Sequence, residues 1–185
     1  MAARTIMVIR HAEKPDRASG IGGVRADGAA DPQELSVRGW QRAGALVRFF
    51  APVSGQPVLS GLQRPQAIFA ASARGKSTRP LSTVGPLAAA LGLTVHDEFS
   101  SESGVPEMIA AARASPGPVL ICWRHGSIPS IARSLVGPTC APSQWSIDRF
   151  DLVWLFQTKN DAWTFEQLPQ LLLAGDRSEP IPDGR

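Results

Sequence analysis

The chain has 185 residues, 43% of them hydrophobic, and a net charge of only +3, which excludes a disordered polyelectrolyte and leaves enough apolar side chains for a real core. No apolar run approaches the roughly 18 residues that cross a bilayer, and the opening Met-Ala-Ala-Arg has neither the length nor the cleavage pattern of a secretory leader, so a cytoplasmic chain with no membrane partner is expected. All basic residues except Lys14, Lys76 and Lys159 are arginines, the better bidentate partners of phosphate, yet they form no dense run, and nucleic acid is not expected as a partner.

In chain order, "TIMVIR" (5–10) is the first predicted strand, and it ends abruptly on Arg10-His11, with Glu13-Lys14-Pro15 close behind. Residues 16–34, rich in Gly, Ala and Asp, predict a long loop; the "GIGG" within it opens no helix and is not a nucleotide-binding loop. Ser36 is the predicted N-cap of a helix that places Trp40, Ala43, Leu46, Val47 and Phe50 at helical spacing. "AIFAAS" (67–72) predicts the second strand. "RPLSTVGPLAAALGL" predicts a helix with Pro80 near its start and Gly92 at its end, and Pro86 predicts either two short pieces or a kink.

"LTVHDEF" (93–99) and "PVLICW" (118–123) are further predicted strands, and "GVPEMIAAARA" and "IPSIARSLVG" are helices that open with a proline in the first turn. Cys122 lies inside an apolar run, forms no C-x-x-C pair with Cys140, and is expected to be a buried free thiol. "DLVWLFQ" (151–157) and "AWTFEQL" (162–168) flank Lys159-Asn160-Asp161, turn chemistry that predicts a hairpin. The tryptophans of the C-terminal third are assigned to core and sheet edge, Asp148, Arg149 and Asp151 to a surface ion-pair cluster ahead of the alternative that they brace the pocket, and the last twelve residues to an extended tail. Strands alternating with helices predict one α/β domain over 1–185, with a mostly parallel central sheet and an antiparallel C-terminal edge.

Ligands of such sheets bind beyond the carboxyl ends of the strands. Two of the three histidines, His11 and His125, fall there, each directly after an arginine and an apolar run. His96, mid-run, is read as structural. The histidines lack metal-ligand spacing, so no metal or other cofactor is expected, and there is no G-x-S-x-G elbow for a serine nucleophile. Phosphoryl transfer fits better. A neutral imidazole can attack phosphorus, while arginine forks and a second histidine neutralise the charge on the equatorial oxygens.

"VIRHAEKP", "LSVRGWQRA", "IFAAS…RPLSTVGPLAAALGL" and "VLICWRHGSIPSIA", in that order over about residues 5–135, resemble the histidine phosphatase superfamily, the phosphoglycerate-mutase-like fold. The resemblance implies a three-layer α/β/α architecture and a metal-independent phosphatase acting on phosphomonoesters or phosphoamino acids, with a phosphorylated small molecule or phosphoprotein as its partner. It implies His11 as the nucleophile, Arg10 as a phosphoryl ligand, and His125 as the second histidine of the pocket. Arg79 corresponds to the arginine before x-x-x-T, with Arg74 as the rival, and Lys14 lies at the pocket mouth.

The chain also departs from the pattern. Ala12 stands where R-H-G is more typical, and the asparagine of the mutases is missing near "DRASG", which favours phosphatase over mutase. Gly126 after His125 closes the His-Asp option for the general acid. The acid is then sought in "VHDEFSSESGVPE", with Glu102 first, Glu98 second and Glu13, from the opening motif, third. The alternatives are mutase-type transfer and a phospholigand-binding protein of weak turnover.

Overall fold

A computed structural model describes residues 4–53, 56, 61–74, 77–160 and 162–182. The first apolar run forms β1 (Thr5–Arg10), with all six residues buried. Ser36 caps α1 (Val37–Phe50) by accepting the Gly39 N–H. Then follow β2 (Ala67–Ala70), α2 (Arg79–Leu91), β3 (Val95–His96), α3 (Val105–Ala114), β4 (Val119–Trp123), α4 (Ile128–Val136), β5 (Leu152–Lys159) and β6 (Ala162–Pro169). The six strands form one sheet in the order β3-β2-β4-β1-β5-β6. The first four are mutually parallel, and β5 and β6 run antiparallel as the C-terminal edge.

Alternation along β1 sorts the core into two layers, because successive side chains of a strand face opposite sides of the sheet. Ile6 and Val8 pack with Met108 and Ile109 of α3, Ile131 and Leu135 of α4, and Trp145 and Trp154. Met7 and Ile9 pack with Leu46 and Phe50 of α1 and Val84 and Leu87 of α2. The architecture is therefore three-layer α/β/α. No helix among the described residues is long and apolar enough to cross a membrane.

Three local expectations change. Of the two outcomes expected at Pro86, the split does not occur: α2 is one helix from Arg79 to Leu91. The buried neighbours Val84, Leu87 and Ala88 hold it against the sheet and outweigh the one hydrogen bond that proline forfeits. The predicted strand 93–99 shrinks to two residues, since beyond His96 the chain turns inward to pack Phe99 against the core. Of the last twelve residues, 183–185 lie outside the described residues; 174–182 have no regular structure, as expected of a tail, but are anchored: Ile181 is buried and its backbone exchanges hydrogen bonds with the Gln167 side chain.

Candidate active site

The register of the sheet builds the site. Arg10 pairs with Trp123, and the His11 N–H extends the ladder to the Trp123 carbonyl at 3.0 Å. The Ala71 N–H likewise reaches Cys122 O across the end of β2. The carboxyl ends of β1, β2 and β4 therefore meet at one rim, and the chain leaves it as His11, Ser72 and Arg124-His125. The start of α1 presses on the same rim, and a Cβ at Gly39 would collide with the Glu13 carbonyl. Only glycine allows that approach.

His11 is 6% exposed, and its Nδ1 lies 2.8 Å from the Ala12 carbonyl. A carbonyl can only accept, so Nδ1 carries the hydrogen and Nε2 keeps the lone pair. Burial, outweighing the Ala12 bond and aided by the charges of Arg10, Arg79 and His125, pushes the His11 pKa down to about 3. The ring is thus neutral at pH 7, in the form that can act as a nucleophile.

The loop that carries this ring is pinned from below. The Ala12 N–H donates to Thr83 Oγ1 at 2.8 Å, and that hydroxyl donates to Arg79 O at 2.7 Å, in a residue with no solvent exposure. Thr83→Val leaves the buried Ala12 N–H without an acceptor. The expected cost is about 1–3 kcal/mol of stability, read by urea unfolding, with Thr83→Ser retaining most of the wild-type value.

Around His11 stand cations with idle donors. Arg10 is 1% exposed, and its Nη1 donates to the carbonyls of Ile147 at 2.6 Å, Arg149 at 3.1 Å and Ser146 at 3.4 Å. Its guanidinium carbon lies 3.8 Å above the Phe150 ring, and burial lowers its pKa to about 10. Arg10 Nε and Nη2, Arg124 Nε and His125 Nδ1 are buried with no hydrogen-bond partner among the described residues. Sealed nitrogens of this kind cost roughly 1–3 kcal/mol each unless something satisfies them, and an anion with several acceptor oxygens does so.

Of the other predicted cations, Arg79 sits close enough for its charge to act on His11. Its Nε and Nη2 hold the carbonyls of Glu34 and Pro32 at 3.1 and 2.8 Å, so it also ties down the 16–34 loop. Burial, and then the charge of Arg124, lowers its pKa. Arg74 is exposed, with only a backbone bond to Ser72 Oγ described. Lys14 is exposed at the rim and acts with Arg10 on His125, whose pKa is lowered chiefly by burial.

The three candidate acids have different surroundings. Both carboxylate oxygens of Glu13 accept from Arg42, at 2.8–3.1 Å, and Oε1 also accepts from Arg38 at 3.2 Å. Glu13 is thereby a bracket between the His11 loop and α1. Glu98 lies 3.7 Å from His96, whose ring stacks on Phe69. Glu102 is exposed on the loop before α3, and its charge acts on Arg124.

One residue of the site, Phe150, carried no sequence signal of its own. Phe150 covers Arg10, with its ring centre 6.1 Å from that of His11. Arg149 and Asp151, expected on the surface, are instead buried and joined at 2.6 Å, because Arg149 also anchors the Glu179 carbonyl of the final segment. Asp148 alone fits the surface expectation, pairing with Arg177 at 2.9 Å. Arg124 could have been weighed from its position before His125, as Arg10 was before His11.

No protein-family model and no curated protein matches the chain. Solved structures do. An α-ribazole phosphatase from Shigella flexneri aligns over 89% of this chain and 96% of its own, at 15% identity and TM-score 0.55. The protein histidine phosphatase SixA complexed with tungstate aligns over 90% and 97%, at 11% identity and TM-score 0.56. A mycobacterial glucosyl-3-phosphoglycerate phosphatase complexed with VO3 aligns over 89% and 97%, at 14% identity and TM-score 0.54.

Proposed function

We propose that this chain, which has the fold of the histidine phosphatase superfamily, is a metal-independent phosphatase that works through a phosphohistidine on His11. The observation that carries the reading is the His11 imidazole, its Nδ1 bound to the Ala12 carbonyl and its Nε2 left with the lone pair, beside buried guanidinium and imidazole nitrogens that have no hydrogen-bond partner among the described residues. Such a site can bind a phosphoryl group and attack it.

In the proposed reaction, Arg10, Arg79, Arg124 and Lys14 hold the phosphoryl oxygens. His125 shares that role. His11 Nε2 attacks phosphorus as the bond to the leaving oxygen breaks, and the leaving oxygen takes a proton from Glu102. Water then attacks the phosphohistidine, gives its proton back to Glu102, and the P–N bond breaks to release phosphate. Charge stabilisation by fixed donors is the main catalytic device, since a phosphoryl transition state offers the protein little other work.

The test is turnover of a phosphomonoester quenched in alkaline denaturant, followed by peptide mapping without exposure to acid. The expected result is one acid-labile phosphoryl group on the peptide containing His11. Label on another residue overturns the mechanism. Tight phosphate binding without turnover favours the ligand-binding alternative, and transfer to a phosphoglycerate acceptor favours the mutase.

Glu102→Gln separates the acid from the rest of the site. Turnover of an alkyl phosphate, whose poor leaving group needs the proton, is expected to fall by about 10²-fold or more. Turnover of p-nitrophenyl phosphate should fall far less. Equal losses on both substrates remove Glu102 from the role, and Glu98→Gln is then the variant to compare.

A further inference from the structure

Two clefts flank the rim, and they differ in charge. One, of about 480 Å³, is lined by Glu13, Arg38, Arg42, Asp148, Asp176 and Arg177 among others. Its charges already answer one another: Arg38 and Arg42 pair with Glu13 and Asp176, and Arg177 with Asp148. The other, of about 380 Å³, leads from His125 between the start of α4 and the 143–147 segment, and among the described residues its walls contain no ionisable side chain apart from His125. Pro129 and Ile147 supply apolar surface there, and Gln144 supplies an amide.

The second cleft is coupled to the phosphoryl site through its own wall. Arg10 Nη1 holds the carbonyls of Ser146 and Ile147, and Trp145, 4% exposed, locks the same segment by donating to Arg149 O at 2.9 Å. The groove therefore begins at one candidate phosphate ligand, His125, and is shaped by another, Arg10. A phosphoryl group held by His125 and Arg10 would therefore border this groove.

We propose that this groove takes the leaving group of the phosphomonoester, and that this group is an uncharged alcohol of small-molecule size. It lays an apolar face on Pro129 and Ile147 and turns a hydroxyl or amide toward Gln144. The proposal rests on the phosphatase reading above. At about 30 Å³ per water, the groove has room for about a dozen waters, or a moiety of similar non-hydrogen atom count. A charged leaving group loses hydration there. Among the described lining residues an anion finds no cation, since burial lowers the His125 pKa, and a cation finds no carboxylate.

The experiment compares kcat/KM for three para-substituted phenyl phosphates bearing a carboxamide, a carboxylate or a trimethylammonium group. The enzymes are the wild type, Ile147→Lys and Ile147→Glu. Ile147 is 65% exposed, and the backbone carbonyl that serves Arg10 is retained in both variants. The wild type is expected to prefer the neutral ester. Ile147→Lys should raise the carboxylate-to-carboxamide ratio about fivefold, and Ile147→Glu should do the same for the trimethylammonium ester, the effect of one charge at contact distance in water. Ratios that stay within about twofold in both variants, or a wild type that prefers a charged ester, overturn the assignment of the groove while the phosphatase reading stands. Absence of turnover on all three by the wild type overturns both.

Discussion

His11→Ala is expected to lower turnover of any phosphomonoester by at least about 10⁴-fold, the scale on which loss of a covalent nucleophile is felt, and to abolish the trapped phosphoryl group. The same variant should change how stability depends on pH. In the folded chain burial holds the His11 pKa near 3, whereas the ordinary value is 6.5. Between these values the unfolded chain binds the proton and the folded chain does not, so unfolding takes up a proton. The stability that His11 contributes is complete above pH 6.5 and is lost as the pH falls toward 3. From pH 7 to pH 5 the loss is about 2 kcal/mol. Urea unfolding at the two pH values should show that loss in the wild type and a smaller one in His11→Ala. His125, also shifted downward, keeps part of the slope in the variant. An equal slope in both proteins means the folded His11 is not held neutral.

The largest stability effect is expected at Arg42. This side chain, 2% exposed, donates to Glu13, to both oxygens of Asp176 at 2.7 and 3.0 Å, and to Gln170 Oε1 at 3.0 Å. Burial alone lowers its pKa, but Asp176 and Glu13 together outweigh burial and raise it. With the more exposed Arg38, it joins α1, the His11 loop and the final segment. Arg42→Met removes the cation and leaves two carboxylates, one buried at 3% side-chain exposure and one at 12%, without their main partner. The expected loss is about 3–5 kcal/mol, the cost of breaking a buried pair from one side. In the triple variant Arg42→Met/Glu13→Gln/Asp176→Asn the stranded charges are gone, and a substantial part of the loss should return. Chemical unfolding of the variants against the wild type measures both. A loss below about 1 kcal/mol for Arg42→Met means the network behaves as a surface one.

The elements with strong local signals were legible in the sequence. Ser36 caps its helix, Pro80, Pro106 and Pro129 open theirs, Gly92 closes one in the left-handed conformation that favours glycine, and β5 and β6 pair as the predicted hairpin, with Asn160 after the end of β5 and Asp161 outside the described residues. Each depends on contacts a few residues apart, which composition and spacing record. The Arg-His pair at the end of each of two buried strands was equally visible, because a strand that stops on ionisable side chains breaks its own hydrophobic pattern.

Residue order and spacing thus dictate the alternation of strands and helices and the residue types delivered to strand ends. The tertiary structure alone decided which of those ends become neighbours. The order β3-β2-β4-β1 sets His11 beside Trp123, more than a hundred residues away. The carbonyls of Ser146, Ile147 and Arg149 that hold Arg10, and the Asp176 that meets Arg42, are likewise distant in the chain. Such pairings leave no periodic trace. A carbonyl is present at every residue, and a carboxylate becomes a buried partner only when the packed sheet and helices bring it to an arginine and exclude water from both.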